Sequence, residues 1–174
     1  MVGLLFSICV SGAMLQKSES AEFKFLGESY VHRYSKADLH EFTPKDKPSL
    51  DKWTDMVTIN NYPKIKSGEE LAKSANAVLE TYKDHGAMIV KTDSVPKTST
   101  REAEHLVVVL FPQPDFIEAS FTRFLIKDGH GHSLIYSHRV YGKKAGDAMS
   151  LWLKSNGEKT EKALMAVSSL PKPK

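Results

Sequence analysis

The densest run of chemistry-bearing side chains in the sequence is Asp128-Gly-His130-Gly-His132, followed further along by His138. Imidazole and carboxylate ligands suit zinc, copper or nickel where thiolates are lacking. Alternate residues of a strand face one way, so His132 and His138 share a side if this segment is extended, and a turn can bring His130 or Asp128 alongside. This yields a metal-binding or hydrolytic reading, with His130, His132 and His138 as ligands of a transition metal such as zinc. The plainer reading makes His130 a solvated turn residue, His132 a polar strand end and His138 a side chain packed under a helix.

A second set comprises Arg123, Tyr136, Arg139 and Tyr141. Arginine within paired apolar strands needs a carboxylate partner or an exposed site. If the arginines share a sheet face with Tyr136 or Tyr141, they line a small pocket for an anionic ligand; otherwise they sit at the surface or in structural ion pairs. Other combinations are weaker. Ser133, Ser137 and His138 lie close in sequence, but a regular strand points Ser137 and His138 to opposite faces, and no Gly-x-Ser-x-Gly elbow accompanies them. Asp115 and Glu118 are the carboxylates nearest a proline-rich turn, where charged groups are ordinarily solvated. Gly129-His-Gly131 lacks the Lys-Ser/Thr and the strand-to-helix setting of a phosphate loop. Lys143, Lys144, Lys154, Lys159 and Lys162 are interrupted by Asp147, Glu158 and Glu161, the pattern of a solvated helix face. With no catalytic constellation complete, the expectation is a non-enzymatic binding domain without a cofactor, the histidine metal site being the alternative.

These residues must be positioned by an ordinary folded domain. The chain has 174 residues, 24 basic against 21 acidic, a net charge of +3 and 41% hydrophobic residues. Such a composition excludes disordered and collagenous classes, and the mild, unclustered positive charge excludes an electrostatically driven nucleic-acid binder. From Met1 to Leu15 no side chain is charged, and the apolar run Val2–Val10 is followed by Ser11, Gly12 and Ala13. A bilayer-spanning helix needs ~20 apolar residues, whereas this length suits a secretory signal. Residues 1–21 are therefore expected to be a signal peptide, cleaved after Ala13 or near Ala21, which leaves no stable membrane span. The single cysteine, Cys9, lies inside it. A mature chain without Cys9 has no disulfide, no thiolate metal site and no cysteine nucleophile.

Residues 22–169 read as one α+β domain. Phe23, Phe25, Tyr30, His32 and Tyr34, then Ala37–Phe42, predict a hairpin of two strands. Pro44 and Pro48 break it, Ser49 is placed to cap a single helical turn carrying Leu50 and Trp53, and Met56–Ile59 is a short β-branched strand. Ser67 and Glu70 have the spacing of a capping box, and Leu71, Ala75, Val78, Leu79 and Tyr82 form one apolar stripe before Gly86. Strands come next at 87–95 and 104–111, the second a continuous apolar run of the kind covered on both faces. A hairpin pairs 116–127 with 132–141 through Asp128-Gly-His-Gly131. Helix is expected from Lys143, broken at Asn156-Gly157, with 170–174 a disordered tail. The sum is a mostly antiparallel sheet of six or seven strands with helices packed on both faces.

The stretch Glu41-Phe-Thr-Pro-Lys-Asp-Lys-Pro-Ser-Leu-Asp-Lys-Trp-Thr-Asp-Met-Val-Thr58, with Arg139-Val-Tyr-Gly-Lys-Lys144 and Trp152, resembles small exported bacterial proteins of an uncharacterised family. The order of elements is similar to the PsbP-like layered fold, whose members are mostly accessory or binding proteins. The resemblance implies a periplasmic or secreted protein that binds an envelope protein or a small ligand, and it brings no catalytic residues with it.

Overall fold

The computed structural model of the protein describes residues 22–173, so the expected signal segment, Cys9 and Lys174 lie outside the described residues. Backbone conformation at the turns sets the first strands. Leu26 and Gly27 both have positive φ and close a tight turn between β1 (Glu22–Phe25) and β2 (Glu28–Lys36), and Ala37 begins another before β3 (Leu39–Pro44). Three strands therefore stand where the alternation suggested two, because apolar Leu26 masked the Leu-Gly turn. After Pro44 the chain crosses to β4 (Asp55–Tyr62) without the expected helical turn; Ser49 Oγ does accept from the Lys52 amide at 3.2 Å, but only bends lie beyond it.

α1 (Gly68–Asp84) starts at the expected capping box, with Ser67 and Glu70 serving each other's backbone amides. It carries the chain to the far edge of the sheet, where β5 (Met88–Val95) begins a return through β6 (Glu104–Pro112), β7 (Phe116–Lys127) and β8 (His130–Tyr141). Among the described residues the sheet has eight strands in the order β1-β2-β3-β4-β8-β7-β6-β5, with every neighbouring pair antiparallel. Two meanders of four strands thus meet along one seam, β4 against β8. The eighth strand is a correction to the expected six or seven. Another concerns the last hairpin, whose turn is Asp128-Gly129 alone, both with positive φ, so that His130 pairs with Lys127 as the first residue of β8. Gly131 is needed for a different reason: a Cβ there would come within 2.8 Å of the Ile65 side chain.

The helices cover opposite faces. On one, Leu71 and Ala75 of α1 pack on Val107, Val109 and Phe124. On the other, Met149 and Leu164 of α2 (Ala145–Met165) pack on Val57, Ile59, Leu106, Val108, Phe121, Leu134 and Tyr136. The run Leu106–Val109 is divided between the two faces, as a continuous apolar strand requires. α2 is unbroken at Asn156-Gly157, because Trp152, Leu153 and Leu164 on either side pack on the sheet and outweigh the ~1 kcal/mol propensity cost of glycine.

Arg123 on β7 is 6% exposed and fixes the end of α2. Its Nε and Nη2 donate to the two carboxylate oxygens of Glu104 at 2.8 and 3.0 Å, while Nη1 donates to the carbonyls of Leu164 and Val167 at 3.0 and 2.8 Å. A cation on the last carbonyls of a helix satisfies groups that have no intrahelical partner and meets the negative end of the helix dipole. The chain then continues across the sheet: Lys127 Nζ donates to the Ser168 carbonyl at 2.6 Å, Leu170 packs on the α2-side core and Pro171 is buried. Leu170 and Pro171, expected to belong to a free tail, are thus laid down on the domain, while Lys172 and Pro173 beyond them are exposed.

Glu104→Leu, which strands a buried guanidinium, is expected to destabilise the fold by about 3–5 kcal/mol. Urea denaturation of the double variant Glu104→Leu/Arg123→Met should recover only part of this, since the Val167 carbonyl loses the guanidinium and the Leu164 carbonyl keeps only a 3.3 Å bond from the Val167 amide.

Candidate functional site

Alternation along β8 decides where the candidate residues point. Leu134, Tyr136 and His138 face α2, and Arg123 joins them because it pairs with Leu134; Arg139 and Tyr141 face the opposite side. The four ligand-binding candidates therefore do not line one pocket. Arg123 is consumed by Glu104 and the end of α2, and Tyr136 donates to Asp55 Oδ1 at 2.7 Å. On the other face Arg139 is held between two aromatic rings, its Cζ 3.8 Å from the centre of Trp53 and 4.3 Å from that of Phe116, with Nε donating to Glu118 at 2.8 Å. The Tyr141 hydroxyl donates to the Trp53 carbonyl at 2.8 Å. This second cluster pins the loop before β4 onto the sheet.

The three histidines also separate. His132 and His138 do share a face, but six residues of strand put them ~20 Å apart, which no common metal ion spans. His130 turns back on its own hairpin, with Nδ1 2.7 Å from the Asp128 carbonyl. Among the described residues no three His, Cys, Asp or Glu side chains are grouped to hold a metal ion.

Each of the other two joins a polar cluster at the seam. His138 Nδ1 donates to Asp55 Oδ1 at 2.9 Å, and its ring stacks on Trp152 with centroids 4.1 Å apart. Asp55 also accepts from Tyr136 and, on Oδ2, from Thr54 at 2.8 Å. Burial alone would raise the Asp55 carboxyl, but the hydrogen bonds from His138, Tyr136 and Thr54 outweigh it and hold the group at about 2, against an ordinary 3.8. Burial, with the negative charge of Asp55 beside it, drives the Tyr136 hydroxyl well above its usual range. An Asp–His pair of this kind orients an imidazole as a general base, and catalysis would also require a nucleophile within its reach.

At the other end of the seam, His132 Nδ1 lies 2.9 Å from Asn61 Oδ1 and Nε2 lies 3.2 Å from the Lys127 carbonyl. Asn61 Nδ2 in turn meets His40 Nε2 at 3.1 Å, and His40 Nδ1 meets Ser35 Oγ at 2.8 Å. Burial pushes the His132 ring below its usual range, and a neutral ring donates to only one of its two oxygen neighbours. The sequence carried a signal for His40, which has the parity of buried Phe42. Asp55 and Asn61 carried none, since a strand-terminal carboxylate or amide is solvated by default.

This second cluster borders the C-terminal segment, and there the surface becomes concave. A hollow of about 310 Å³ lies between His40, Asn61, His132 and residues 169–173. Along the other side of the same segment runs a larger groove of about 710 Å³, walled by residues 22–26 of β1 and its turn and by residues 163–172. Phe23, Phe25 and Leu170 give it apolar surface, and Glu22, Lys24 and Lys172 bring charge of both signs. The groove is the strongest candidate functional site because it runs along β1, the outermost strand of the sheet among the described residues, and an outer edge offers backbone hydrogen-bonding groups to a further chain.

No protein-family model and no curated protein matches the chain. Solved structures with a similar arrangement include the Ran-binding protein Mog1p of Saccharomyces cerevisiae, at 9% identity and a TM-score of 0.41, covering 82% of this chain and 84% of that one. Human STARD10 is another, at 8% identity and a TM-score of 0.33, covering 78% and 73%. At these values neither likeness bears on what this chain binds.

The depressed Asp55 carboxyl gives a pH signature. The stability it contributes is complete above its unfolded value of 3.8 and is lost as pH falls through about 2. Discounted for its partial exposure, this amounts to about 1–2 kcal/mol. Urea melts between pH 5 and 2 should show this loss in the wild type, and Asp55→Asn should lose stability at neutral pH and flatten the acid limb by the same amount.

Proposed function

We propose that the chain is an exported, non-enzymatic binding or accessory domain of the bacterial envelope, kin to the small exported proteins it resembles and layered in the PsbP-like manner. Its ligand is an extended segment of another polypeptide, seated in the groove between β1 and the C-terminal segment. The observation that carries this reading is the groove itself, about 710 Å³ of concave surface along the outermost strand among the described residues. An edge strand recognises an extended chain through main-chain hydrogen bonds, while adjacent apolar walls select its side chains. Phe23, partly buried and stacked on buried Phe25 with ring centroids 6.2 Å apart, offers such a wall, and Leu170 offers the facing one. Supporting it further, Arg123, Arg139, Tyr136, Tyr141 and His138 are each engaged inside the domain, so these side chains serve the scaffold.

Two measurements test the two halves of the proposal. Short linear peptides selected on the immobilised protein from a displayed library, titrated into isotopically labelled protein, should shift the amides of residues 22–26 and 166–172. Shifts confined to the surroundings of Asp55 and His138, or binding by small molecules alone, would refute the peptide groove. Fractionation of the native host, with mass analysis of the chain, should find it outside the cytoplasm without its apolar start; an intact chain confined to the cytoplasm would refute export.

A further inference from the structure

The opposite edge of the sheet differs from β1 in a way that points to a partner. β5 is eight residues long and solvent-exposed along nearly all of its length, and Met88, Ile89 and Val90 are 53%, 40% and 49% exposed. Natural edge strands are usually kept short or guarded by charges, prolines or bulges, and β1, with four residues, is short. β5 has a bulge between Ile89 and Lys91, and beyond it the regular stretch Lys91–Val95 carries Lys91 and Asp93 on either side of Thr92, both facing α2. Lys91 Nζ is 2.6 Å from Glu161 on α2 and 4.0 Å from Asp93.

We propose that β5 pairs with β5 of a second copy of this chain, antiparallel about a two-fold axis at Thr92, to make one continuous sheet across a homodimer. A two-fold interface must be self-complementary, each residue meeting its counterpart's partner in reciprocal fashion. With the axis at Thr92, Lys91 lies opposite Asp93 of the second copy, twice, and threonine lies opposite threonine. Opposite charges and threonine pairs are favourable cross-strand neighbours, and like charges are unfavourable. Moving the axis to Lys91 sets lysine against lysine, and moving it to Asp93 sets aspartate against aspartate. The charge pattern that would deter an unrelated strand therefore selects one register of self-pairing. Grooves of about 290 and 390 Å³ flank β5 on the α2 and α1 sides, and among the described residues no strand lies beyond it.

The test is charge exchange read by sedimentation equilibrium on the full chain. The wild type should reach twice the monomer mass. Lys91→Glu alone places Glu opposite Asp, and Asp93→Lys alone places Lys opposite Lys; each should dissociate at least tenfold more readily. Mixing the two single variants restores opposite charges at both positions, so a heterodimer should form from two chains that do not self-associate. Lys91→Glu also removes the contact with Glu161, so the double variant Lys91→Glu/Asp93→Lys, which again self-complements, guards against a folding defect and should dimerise. A wild type still monomeric at about 1 mM, where even weak specific pairs associate, would overturn the proposal. So would single variants that dimerise as tightly as the wild type, or a mixture that stays monomeric.

Discussion

The Arg123–Glu104 pair is the constraint on which the rest of the molecule is arranged. A guanidinium buried between sheet and helix is costly unless its donors are met, and here carboxylate and carbonyl oxygens meet four of the five. In doing so it joins β6, β7 and the end of α2 at one point. The C-terminal segment has to leave from that point, and it runs over the sheet between His132 and β1. Both hollows on that side of the domain have this segment as one wall, so their shape is set by an ion pair that contacts neither.

A further set of polar contacts, between partly and fully buried groups, lies where the two meanders meet. Asp55 is bonded to Tyr136 and His138, Asn60 and Tyr62 to Ser133, and Asn61 to His132, each contact crossing from β4 to β8. Apolar packing is tolerant of a slip along the strands, whereas hydrogen bonds between specific atoms are not. His132, Tyr136 and His138, singled out in the sequence for their chemistry, here tie β8 to β4.

Much of the fold was legible because local signals and burial agree. The capping box at Ser67, the apolar stripe of α1, the Asp-Gly turn and the run at 106–111 each state the same element at two levels. Where they failed, tertiary packing won: Asn156-Gly157 reads as a break but lies inside a helix held by Trp152 and Leu164. Leu26 reads as part of a strand but turns, and the Lys-Pro tail reads as solvated but buries Pro171. The site was legible only in part. Strand parity put His132 and His138 on one side, but parity says nothing of distance along a strand. The partners that matter most to them, Asp55 and Asn61, come from a strand more than seventy residues away in sequence.

The connection of β4 to β5 through α1 has an entropic consequence. Within each meander, neighbouring strands are joined by links that run from tight turns to the loop between Pro44 and Asp55, all far shorter than the connection the seam must close. The seam alone must close a loop running through α1 and three further strands, and its reward is collected only when Asp55, Asn60 and Asn61 find their partners. Of all the strand pairings in the sheet, that of β4 with β8 therefore carries the largest loop-closure cost, and its specific hydrogen bonds are what offset it.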